Sequence, residues 1–498
     1  MTEPCDLTAV EARRLIGGRK LSPVELLQSC QARIDAVNPA VNAMVAEDRA
    51  AALAAARDAE AAVMRGDDLG PLHGLPVGIK DLEEVQGLRT TYGSPIFRDF
   101  VPDADCAMVA NLRRAGAIVI GKTNTPEFGA GANTRNTVYG VTGNPFDPTK
   151  SAAGSSGGSA VALATGMAPI CSGSDTGGSL RNPAAFCGIV GYRPSPGLVP
   201  SEKRGHGWSN LPVLGPMARN VPDACLMLSA MASDDARDPL AYTLHGRAVR
   251  AKPALFSPPR QLDLASLRLA FTPDFGLAPT ETHIRDVFAQ RVAALAPMFA
   301  AAEEATPDCS GGDEAFEVLR AAGFLSGHQQ KVKERPQDVG PNVIANVEEG
   351  LRYSLDDYAR AAASQTRIYR DFQRFFAKHD VLVTPSITIS PRPWRELYPA
   401  EIDGKPTRSY FHWLSLAYYV TLVGHPAVSL PLGLDRNGMP FGLQIVGPRG
   451  GDAFVLGVAA AIEAAFAGDA TLARPAPDLG KLRAAPPISA AEAFLTWG

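Results

Sequence analysis

Two serine–glycine segments and one lysine carry the side chains from which a covalent hydrolase can be built. The segment "AAGSSGGSA" contains Ser155, "SDTGGSLR" contains Ser179, and Lys80 ends the apolar stretch "GLPVGIK". A serine hydroxyl attacks a carbonyl only after a base has taken its proton, and no histidine is near either serine in the sequence. These residue types predict nucleophilic catalysis with a lysine as the base.

Lys80 can act as that base only in its neutral form. From the ordinary lysine pKa of about 10.4, roughly one amine in 2,500 is neutral at pH 7. Burial disfavours the ammonium ion and can lower the pKa by about 3 to 5 pH units, and the apolar neighbours Val77 and Ile79 favour a buried position. We therefore expect a neutral Lys80 near pH 7, with Ser155 passing the proton between Lys80 and Ser179.

The glycines beside Ser179 could meet a second requirement of this chemistry. In Thr176-Gly177-Gly178-Ser179, successive backbone N–H groups can point toward one place, where they would stabilise a developing oxyanion. The alternative is that these glycines form ordinary turns and that Lys80 is solvated. The residues by themselves leave both interpretations open.

Two other motif matches fail the structural demands of their motifs. "GAIVIGKT", residues 116–123, fits the phosphate-binding loop pattern, but its middle is a predicted strand and a proline follows. "GSSGG", residues 154–158, fits the nucleophile elbow with Ser156, but no strand precedes it. The histidine that such a triad needs is also missing, because His412 and His425 are in apolar segments typical of core residues. We reject nucleotide binding and a Ser156 nucleophile.

Short apolar runs separated by helical segments predict the elements that position these side chains. Buried strands are expected at residues 75–79, 117–121 and 169–171, and helices at 107–115 and 159–164. Open α/β sheets bind ligands at the carboxyl ends of their strands. The lysine and both serine segments are therefore expected to meet at one edge of a sheet.

Helix signals dominate the beginning of the chain and reappear later. The first 65 residues are predicted to be helical, from capping boxes at Thr8 and Ser22 and an alanine-rich run that ends near Gly66. A long helix is predicted over 354–379, followed by the buried strand "DVLVTPS".

Two stretches lack such signals. Residues 231–340 are less regular, with proline-rich pieces and an acidic loop. Residues 385–408 are rich in proline and are expected to form a long surface loop. Loops of that length are often lids or pocket walls, and this is the role we expect for the segment.

Composition limits the classes of function. The 498 residues are 46% hydrophobic and 20% charged, and the net charge of −4 gives no reason to expect binding to nucleic acid or to an acidic membrane. The seven scattered cysteines predict buried free thiols in a reducing compartment rather than a zinc site or a disulfide framework. Without a signal-peptide pattern or a long apolar run, the sequence predicts a cytoplasmic protein.

Longer segments of the chain resemble the amidase signature family. Residues 151–197 are similar to its signature, "GPLHGLPVGIKD" is similar to its lysine segment, and "DVLVTPS" and "GHPAVSLPLGLDRNGMPFGLQIVG" agree as well. The resemblance implies an α/β fold: a single α/β/α domain with a large mixed, mostly parallel twisted sheet covered by helices on both faces. Residues 1–66 would pack as a helical segment on the domain of residues 67–498, with 231–350 as a divergent region.

The resemblance also assigns roles to residues. Ser179 matches the nucleophile, Ser155 the bridging serine, whose peptide bond is cis in relatives, and Lys80 the base. Asp175 and Arg181 match supporting positions, and we expect Arg181 to hold the loop by ion pairing rather than to touch substrate. The implied oxyanion hole consists of Thr176, Gly177, Gly178 and Ser179.

The chain departs from the family pattern just before the bridging serine. Ala153 stands where relatives usually have a second glycine. The backbone shape before Ser155 is therefore the part of the pattern that the sequence leaves in doubt.

The implied activity is hydrolysis of a small carboxamide to a carboxylate and ammonia or an amine, through an acyl-enzyme and without a cofactor or metal. The alternative is the glutaminase subunit of a tRNA-dependent amidotransferase, which would need partner subunits. A noncatalytic binding protein is disfavoured because all three triad residue types are present. The expected partner is a small-molecule amide, and a homodimer with a second copy of the chain is compatible with the sequence. Neither a nucleic acid nor a membrane is an expected partner.

The sequence says little about which amide is cleaved. Phe128, Trp208 and the aromatic segment "YFHWLSLAYY" are expected to line an apolar pocket for aryl or medium alkyl amides. The alternative is that these aromatic side chains belong to the core.

Overall fold

The strands that carry the candidate residues lie inside a large sheet. The computed structural model describes residues 3–241, 243–244, 247–248 and 253–497. Its strands within those residues are β1 (Met44–Ala46), β2 (Pro76–Lys80), β3 (Ile118–Thr123), β4 (Ile170–Asp175), β5 (Val190–Arg193), β6 (Val213–Ala218), β7 (Thr243–Leu244), β8 (Arg247–Ala248), β9 (Arg268–Phe271), β10 (Ala301–Glu304), β11 (Val381–Pro385), β12 (Glu401–Ile402), β13 (Lys405–Pro406), β14 (Ala427–Leu434) and β15 (Pro440–Val446).

Eleven of the described strands form one mixed sheet. Their order is β1-β3-β2-β4-β6-β5-β14-β15-β11-β9-β10. The pairs β2–β3, β2–β4, β9–β10 and β9–β11 are parallel, and the other neighbours in the sheet are antiparallel. The α/β fold with a mixed sheet is confirmed, although antiparallel neighbours outnumber parallel ones. Sequential strands such as β14 and β15 are joined by a turn at residues 435–439, too short for a parallel crossover.

Helices cover both faces of this sheet. Every residue of β2, β3, β6, β11 and β15 is buried, which requires cover on both sides. The helices of the described chain are α1 (Ala9–Gly17), α2 (Pro23–Val41), α3 (Arg49–Arg65), α4 (Ala107–Arg114), α5 (Gly157–Ala164), α6 (Arg181–Cys187), α7 (Val221–Met231), α8 (Thr282–Leu295), α9 (Gly312–Glu334), α10 (Pro341–Arg352), α11 (Leu355–Phe376), α12 (Ser415–Val423), α13 (Asp452–Phe466) and α14 (Leu479–Ala484).

Strands β2 and β4 bring the lysine and serine segments to one edge of the sheet. The two strands are parallel neighbours, so their carboxyl ends lie on the same side. Lys80 is the last residue of β2, and Asp175, four residues before Ser179, is the last residue of β4. Helix α5 begins at Gly157, within the first serine segment, and leads back to β4 through a turn at Gly166. This is the convergence that the sequence predicts.

Two of the predictions from the sequence need correction. The first 65 residues are not all helical, because β1 pairs with β3, and three residues are too few to show an alternating pattern. Residues 231–340 contain the regular helix α8 and the 23-residue helix α9. Helix α9 has weak sequence signals because no side chain caps its start and it contains Gly323 and Gly327. Residues 242, 245–246 and 249–252 of that stretch lie outside the described residues.

Most of the predicted helix ends are confirmed. Ser22 forms a full capping box with Glu25, and helix α3 ends at Gly66 with a φ of 81°. At Thr8 only half of the box forms, because the Glu11 carboxylate pairs with Arg14 instead. These contacts fix where the N-terminal helices begin and end.

The cap of helix α11 allows a test of local stability. The Ser354 hydroxyl accepts from the Asp357 N–H at 3.1 Å, and the Asp357 carboxylate accepts from the Ser354 N–H at 2.7 Å. Ser354→Ala should lower the free energy of unfolding, measured by urea denaturation, by about 1 kcal/mol. Ser364→Ala, inside the same helix, is the control and should cost nothing. Equal effects of the two substitutions would contradict the role of the cap.

Candidate active site

The candidate site is centred on one buried amine, that of Lys80. Lys80 is completely buried, and its Nζ lies 2.7 Å from Ser155 Oγ, 2.8 Å from Ser156 Oγ and 2.9 Å from Ser174 Oγ. All three contacts are hydroxyl groups, which can donate or accept. A neutral amine fits this cage by donating two hydrogen bonds and accepting one on its lone pair.

The electrostatics of the cage favour that neutral form. Burial lowers the pKa of Lys80 to about 7, and the negative charges of Glu83 and Asp175 act in the opposite direction without restoring the ordinary value. Among the residues that the structure describes, no carboxylate is within ion-pair distance of Nζ. Near pH 7 Lys80 can therefore accept a proton from a neighbouring hydroxyl.

Ser155 is presented by an unusual backbone segment. The peptide bond between Gly154 and Ser155 is cis, in agreement with the resemblance. Ala153, the departure from the family pattern, has a φ of 56°, in the left-handed region where glycine is the usual residue. Thr134 holds the segment on both sides, because its hydroxyl donates to the Ala153 carbonyl at 2.7 Å and accepts from the Gly157 N–H at 3.1 Å. The backbone shape is thus kept despite the alanine.

Ser179 lies in the loop between β4 and α6, at the wall of a large cavity. Thr176, Gly177 and Ser179 line this cavity. Within the described part of the chain, no hydrogen bond is found for the N–H groups of Gly177 and Ser179. These two donors are therefore available to a bound carbonyl oxygen.

Asp175 determines the shape of that loop. Its carboxylate accepts from the N–H groups of Gly178 at 3.0 Å and Leu180 at 3.1 Å. The Gly178 N–H is already used in this bond, which differs from the expectation that it belongs to the oxyanion hole. Gly178 has a φ of 111°, and this conformation explains the need for glycine there.

Two arginines hold Asp175 in place. Arg181 Nη2 lies 2.9 Å and Arg193 Nη1 3.0 Å from its Oδ1, and all three side chains are fully buried. Burial by itself raises the pKa of the Asp175 carboxyl, but the two guanidinium charges outweigh burial and hold that pKa well below its ordinary range. Arg181 also donates to Gln444, 2.6 Å away, and to Thr421. It forms the expected ion pair and is not part of the cavity wall.

The cavity next to Ser179 is largely apolar and has a volume of about 690 Å³. Four aromatic rings pack against one another on its wall at centroid separations of 5.0 to 6.4 Å: Tyr92, Phe97, Phe100 and Phe128. Phe128 is therefore where the sequence analysis expects it. Trp208 is not among the lining residues, and its side chain is 77% exposed, so its assignment to the pocket needs correction.

The remaining wall comes from segments whose roles the sequence left open. Tyr410 and Phe411 of the aromatic segment line the cavity, whereas Tyr418 and Tyr419 are buried core residues. No residue of the described segment 385–408 lines the cavity, so the expected lid or wall is not formed by it. Helix α9 supplies that wall instead.

Sequence reasoning missed several contributors. From the sequence, Ser156 is a candidate only for a nucleophile, and Ser174, three residues beyond the predicted strand 169–171, has no predicted role, yet both contact Lys80. The alternation of serine and glycine in "CSGSD" was the signal for Ser174. Arg193 carried no motif, because its pairing with Asp175 spans 18 residues.

A group of potential metal ligands occurs in the described chain away from these residues. Glu3, Cys5 and Asp6 bring their ligand atoms together near the start of the chain. Arg33 pairs with Glu3 at 2.6 Å and with Asp6 at 3.0 Å, so the carboxylate charge there is already matched.

Three comparisons with known proteins agree with this geometry. The sequence model of the amidase family matches residues 25–456. An acylamidase from Rhodococcus erythropolis is 35% identical over 461 residues, covering 92% of this chain and 95% of the relative. The A subunit of a glutamyl-tRNA(Gln) amidotransferase from Acidothermus cellulolyticus is 33% identical over 495 residues, covering 92% and 94%. The crystal structure of a bacterial aryl acylamidase of the amidase signature family matches with a TM-score of 0.84 and 25% identity, covering 96% and 98%.

The buried amine makes a prediction about pH. If Lys80 is the base, kcat/KM should rise with pH through an apparent pKa of about 7, because only the neutral amine accepts a proton. Burial raises the pKa of Glu83 to about 7, so its negative charge, which favours the ammonium ion, develops over the same pH range. Glu83→Gln removes that charge and should move this limb to lower pH. Lys80→Met should abolish turnover with the fold retained, as judged by circular dichroism. A pH profile that Glu83→Gln leaves unmoved would contradict this origin of the limb.

The buried Asp175 predicts a large effect on stability. Asp175→Asn leaves two buried guanidinium groups without their counter-charge and should lower the free energy of unfolding by about 3 to 5 kcal/mol. Asp235→Asn is the control, because Asp235 pairs with Arg237, whose side chain is 66% exposed. It should cost less than about 1 kcal/mol in the same urea titration. Similar costs for the two variants would contradict the structural role of Asp175.

Proposed function

The chain belongs to the amidase signature family and is an amide hydrolase, and from this premise we propose that Ser179 is its nucleophile, Ser155 its proton relay and Lys80 its base. The observation that carries the proposal is the 2.7 Å contact between Lys80 Nζ and Ser155 Oγ, at the edge of the sheet where the Ser179 loop begins. Cleavage of the amide follows from this arrangement in two stages.

In the first stage Ser179 Oγ bonds to the amide carbonyl carbon. Its proton passes to Ser155 Oγ, whose own proton passes to Lys80 Nζ. The resulting oxyanion accepts hydrogen bonds from the N–H groups of Gly177 and Ser179, each worth about 3 to 4 kcal/mol of barrier in comparable sites. The C–N bond then breaks as the proton returns through Ser155 to the leaving nitrogen, and the acyl group remains on Ser179.

In the second stage water replaces the amine. Lys80 and Ser155 take a proton from the water as it bonds to the acyl carbon, and the same N–H groups stabilise the second oxyanion. Breakdown returns the proton to Ser179 Oγ and releases the carboxylate. One relay therefore serves both stages, because each requires the same alternation between base and acid.

The cavity supports aryl and medium alkyl amides as substrates. Its volume of about 690 Å³ is in the range of sites for small molecules, and its aromatic wall suits an apolar acyl or amine group. The acylamidase from Rhodococcus erythropolis and the bacterial aryl acylamidase carry names that agree with this class. We therefore favour a free-standing acylamidase.

The second candidate function is an ammonia-generating component of a tRNA-dependent amidotransferase. It is supported by the similarity to the amidotransferase chain from Acidothermus cellulolyticus. The two functions differ in their need for partners. An enzyme that hydrolyses aryl amides alone is an amidase, whereas glutamine hydrolysis that occurs only with added partner subunits would support the second candidate.

The proposal extends to the cellular location of the enzyme and to its assembly. We place the enzyme in the cytoplasm because its seven cysteines are all free and buried. In the part of the chain covered by the structure, no helix combines the length and apolar character that a membrane span requires. We also propose that residues 67–498 form one domain on which residues 1–66 pack, and that the chain can form a homodimer.

The nucleophile can be tested directly. Ser179→Ala should reduce release of para-nitroaniline from butyryl para-nitroanilide by at least about 10⁴-fold, because no oxygen remains to bond the carbonyl carbon. Ser229→Ala is the control for the loss of a buried serine and should keep the wild-type rate, because its hydroxyl donates to the Leu226 carbonyl within α7, away from the cavity. A fluorophosphonate probe should label the wild-type protein at Ser179. Labelling at Ser156 instead, or undiminished turnover by Ser179→Ala, would overturn the assignment.

A further inference from the structure

One face of helix α9 forms a wall of the cavity. Its cavity-lining residues recur at helical spacing over residues 316–331 and include Phe316, Arg320, Phe324 and Lys331. The N-terminal part of this face touches the catalytic loop, because a β-carbon placed on Gly177 would lie 3.1 Å from the ring of Phe316. Side chains on this face are therefore within reach of a bound substrate.

The charges on the cavity wall do not balance. Four cationic side chains line the cavity: Lys203, Arg204, Arg320 and Lys331. Lys203 pairs with Glu84, and Arg204 pairs with Asp238. For Arg320 and Lys331, no carboxylate of the described chain lies within the 4.0 Å that defines an ion pair. The unmatched charge of the wall is therefore positive.

Arg320 is the more deeply placed of the two. Its side chain is only 8% exposed, and its guanidinium lies 4.5 Å from the ring centroids of Phe324 and Phe411. It donates to the side chains of Asn346 and Tyr410, both of which are neutral acceptors. The Nε–H group makes no hydrogen bond with the described residues. The negative charges of Glu349 and Glu317 act on the guanidinium only from beyond ion-pair distance. Burying a charge without a directly paired partner is costly, and a ligand carboxylate would supply that partner.

The position of Arg320 relative to the nucleophile limits the substrate. Arg320 is one helical turn from Phe316, which is about 6 Å along the axis. A carboxylate bound at Arg320 would therefore be separated from the scissile amide by a short chain or one aromatic ring. The aromatic side chains around Arg320 would pack against that spacer.

We propose that the cavity selects amides that carry a carboxylate, and that Arg320 binds this carboxylate during hydrolysis at Ser179. This substrate preference rests on the proposed function and adds the charge of the substrate to it. Lys331 supports the preference from farther along the same face, where its Nζ contacts the Gly327 carbonyl and the ring of Phe128. The competing explanation is that Arg320 only joins α9 to Asn346 of α10.

The first test uses the wild-type enzyme and pairs of substrates that differ in charge but not in size. Glutaryl para-nitroanilide is compared with the methyl ketone of the same acyl chain, and para-acetamidobenzoate with para-acetamidoacetophenone. The proposal expects kcat/KM to favour the carboxylate in at least one pair by about ten- to a hundredfold, the worth of one charge-assisted contact. Equal rates within both pairs would overturn it.

Variants then locate the preference. Arg320→Met should lower kcat/KM for the carboxylate by about ten- to a hundredfold more than for the neutral amide of the same pair, and Arg320→Lys should restore part of the preference. Lys331→Met should lower the preference by a smaller factor. Lys333→Met, an exposed residue of the same helix that does not line the cavity, should leave both rates unchanged.

Asn346→Ala separates substrate binding from a structural role. It removes the hydrogen bond between Arg320 of α9 and Asn346 of α10 but keeps the guanidinium. If Arg320 has only a structural role, Arg320→Met and Asn346→Ala should each lower kcat/KM equally for the two members of a substrate pair. This result would overturn the proposal. If Arg320→Met does not fold, the wild-type preference and its reduction in Lys331→Met decide the outcome.

Binding distinguishes failure of this inference from failure of the proposed function. The Ser179→Ala protein should bind para-acetamidobenzoate about ten- to a hundredfold more tightly than the ketone, measured by calorimetry. Such binding without any turnover by the wild-type enzyme would contradict the proposed function but support the carboxylate site. Turnover of both compounds without a preference in binding or rate would support the proposed function but contradict the carboxylate site.

Discussion

The proposed chemistry depends on keeping one amine uncharged in the interior of the protein. Lys80 ends a strand that is buried along its whole length, and water does not reach its Nζ. The polarity of the amine is satisfied by hydroxyl groups alone. A carboxylate in the same place would form an ion pair and hold the proton on the lysine. The sheet and the helices that cover it keep the amine buried, and the serine cage supplies its hydrogen bonds.

Another buried side chain of the site, that of Asp175, has the opposite requirement. Asp175 must stay charged, and two buried arginines ensure that it does. Its carboxylate then fixes the loop that carries Ser179 by accepting backbone hydrogen bonds. The site thus combines a neutral base with an ionised scaffold, and the difference lies in whether the neighbours are hydroxyl groups or guanidinium groups. A charged amine at position 80 would not accept a proton, and a neutral side chain at position 175 would not pair with the two arginines.

The reacting groups and the substrate wall come from different parts of the fold. The reacting groups lie on strands and tight loops at the edge of the sheet, where buried hydrogen bonds hold them. Helix α9 lies outside that edge and contributes Phe316, Arg320 and Phe324 to the cavity. No described residue of α9 is among the hydrogen-bond partners of Lys80 Nζ. The cavity wall and the cage around Lys80 are therefore built by different elements.

Local patterns of apolar residues, glycines and caps were enough to predict the α/β fold, the strand that ends at Lys80, the two serine loops and most of the helix ends. The groups that complete the site depend on contacts between residues far apart in the chain. Ser174 and Arg193 are defined by contacts between strands, and the outward position of Trp208 is decided by packing. The wall formed by α9 has the same origin, since a helix without a cap and with internal glycines shows its role only when it packs against the catalytic loop. Local patterns cannot encode which distant side chains meet, because that depends on the order of strands in the sheet.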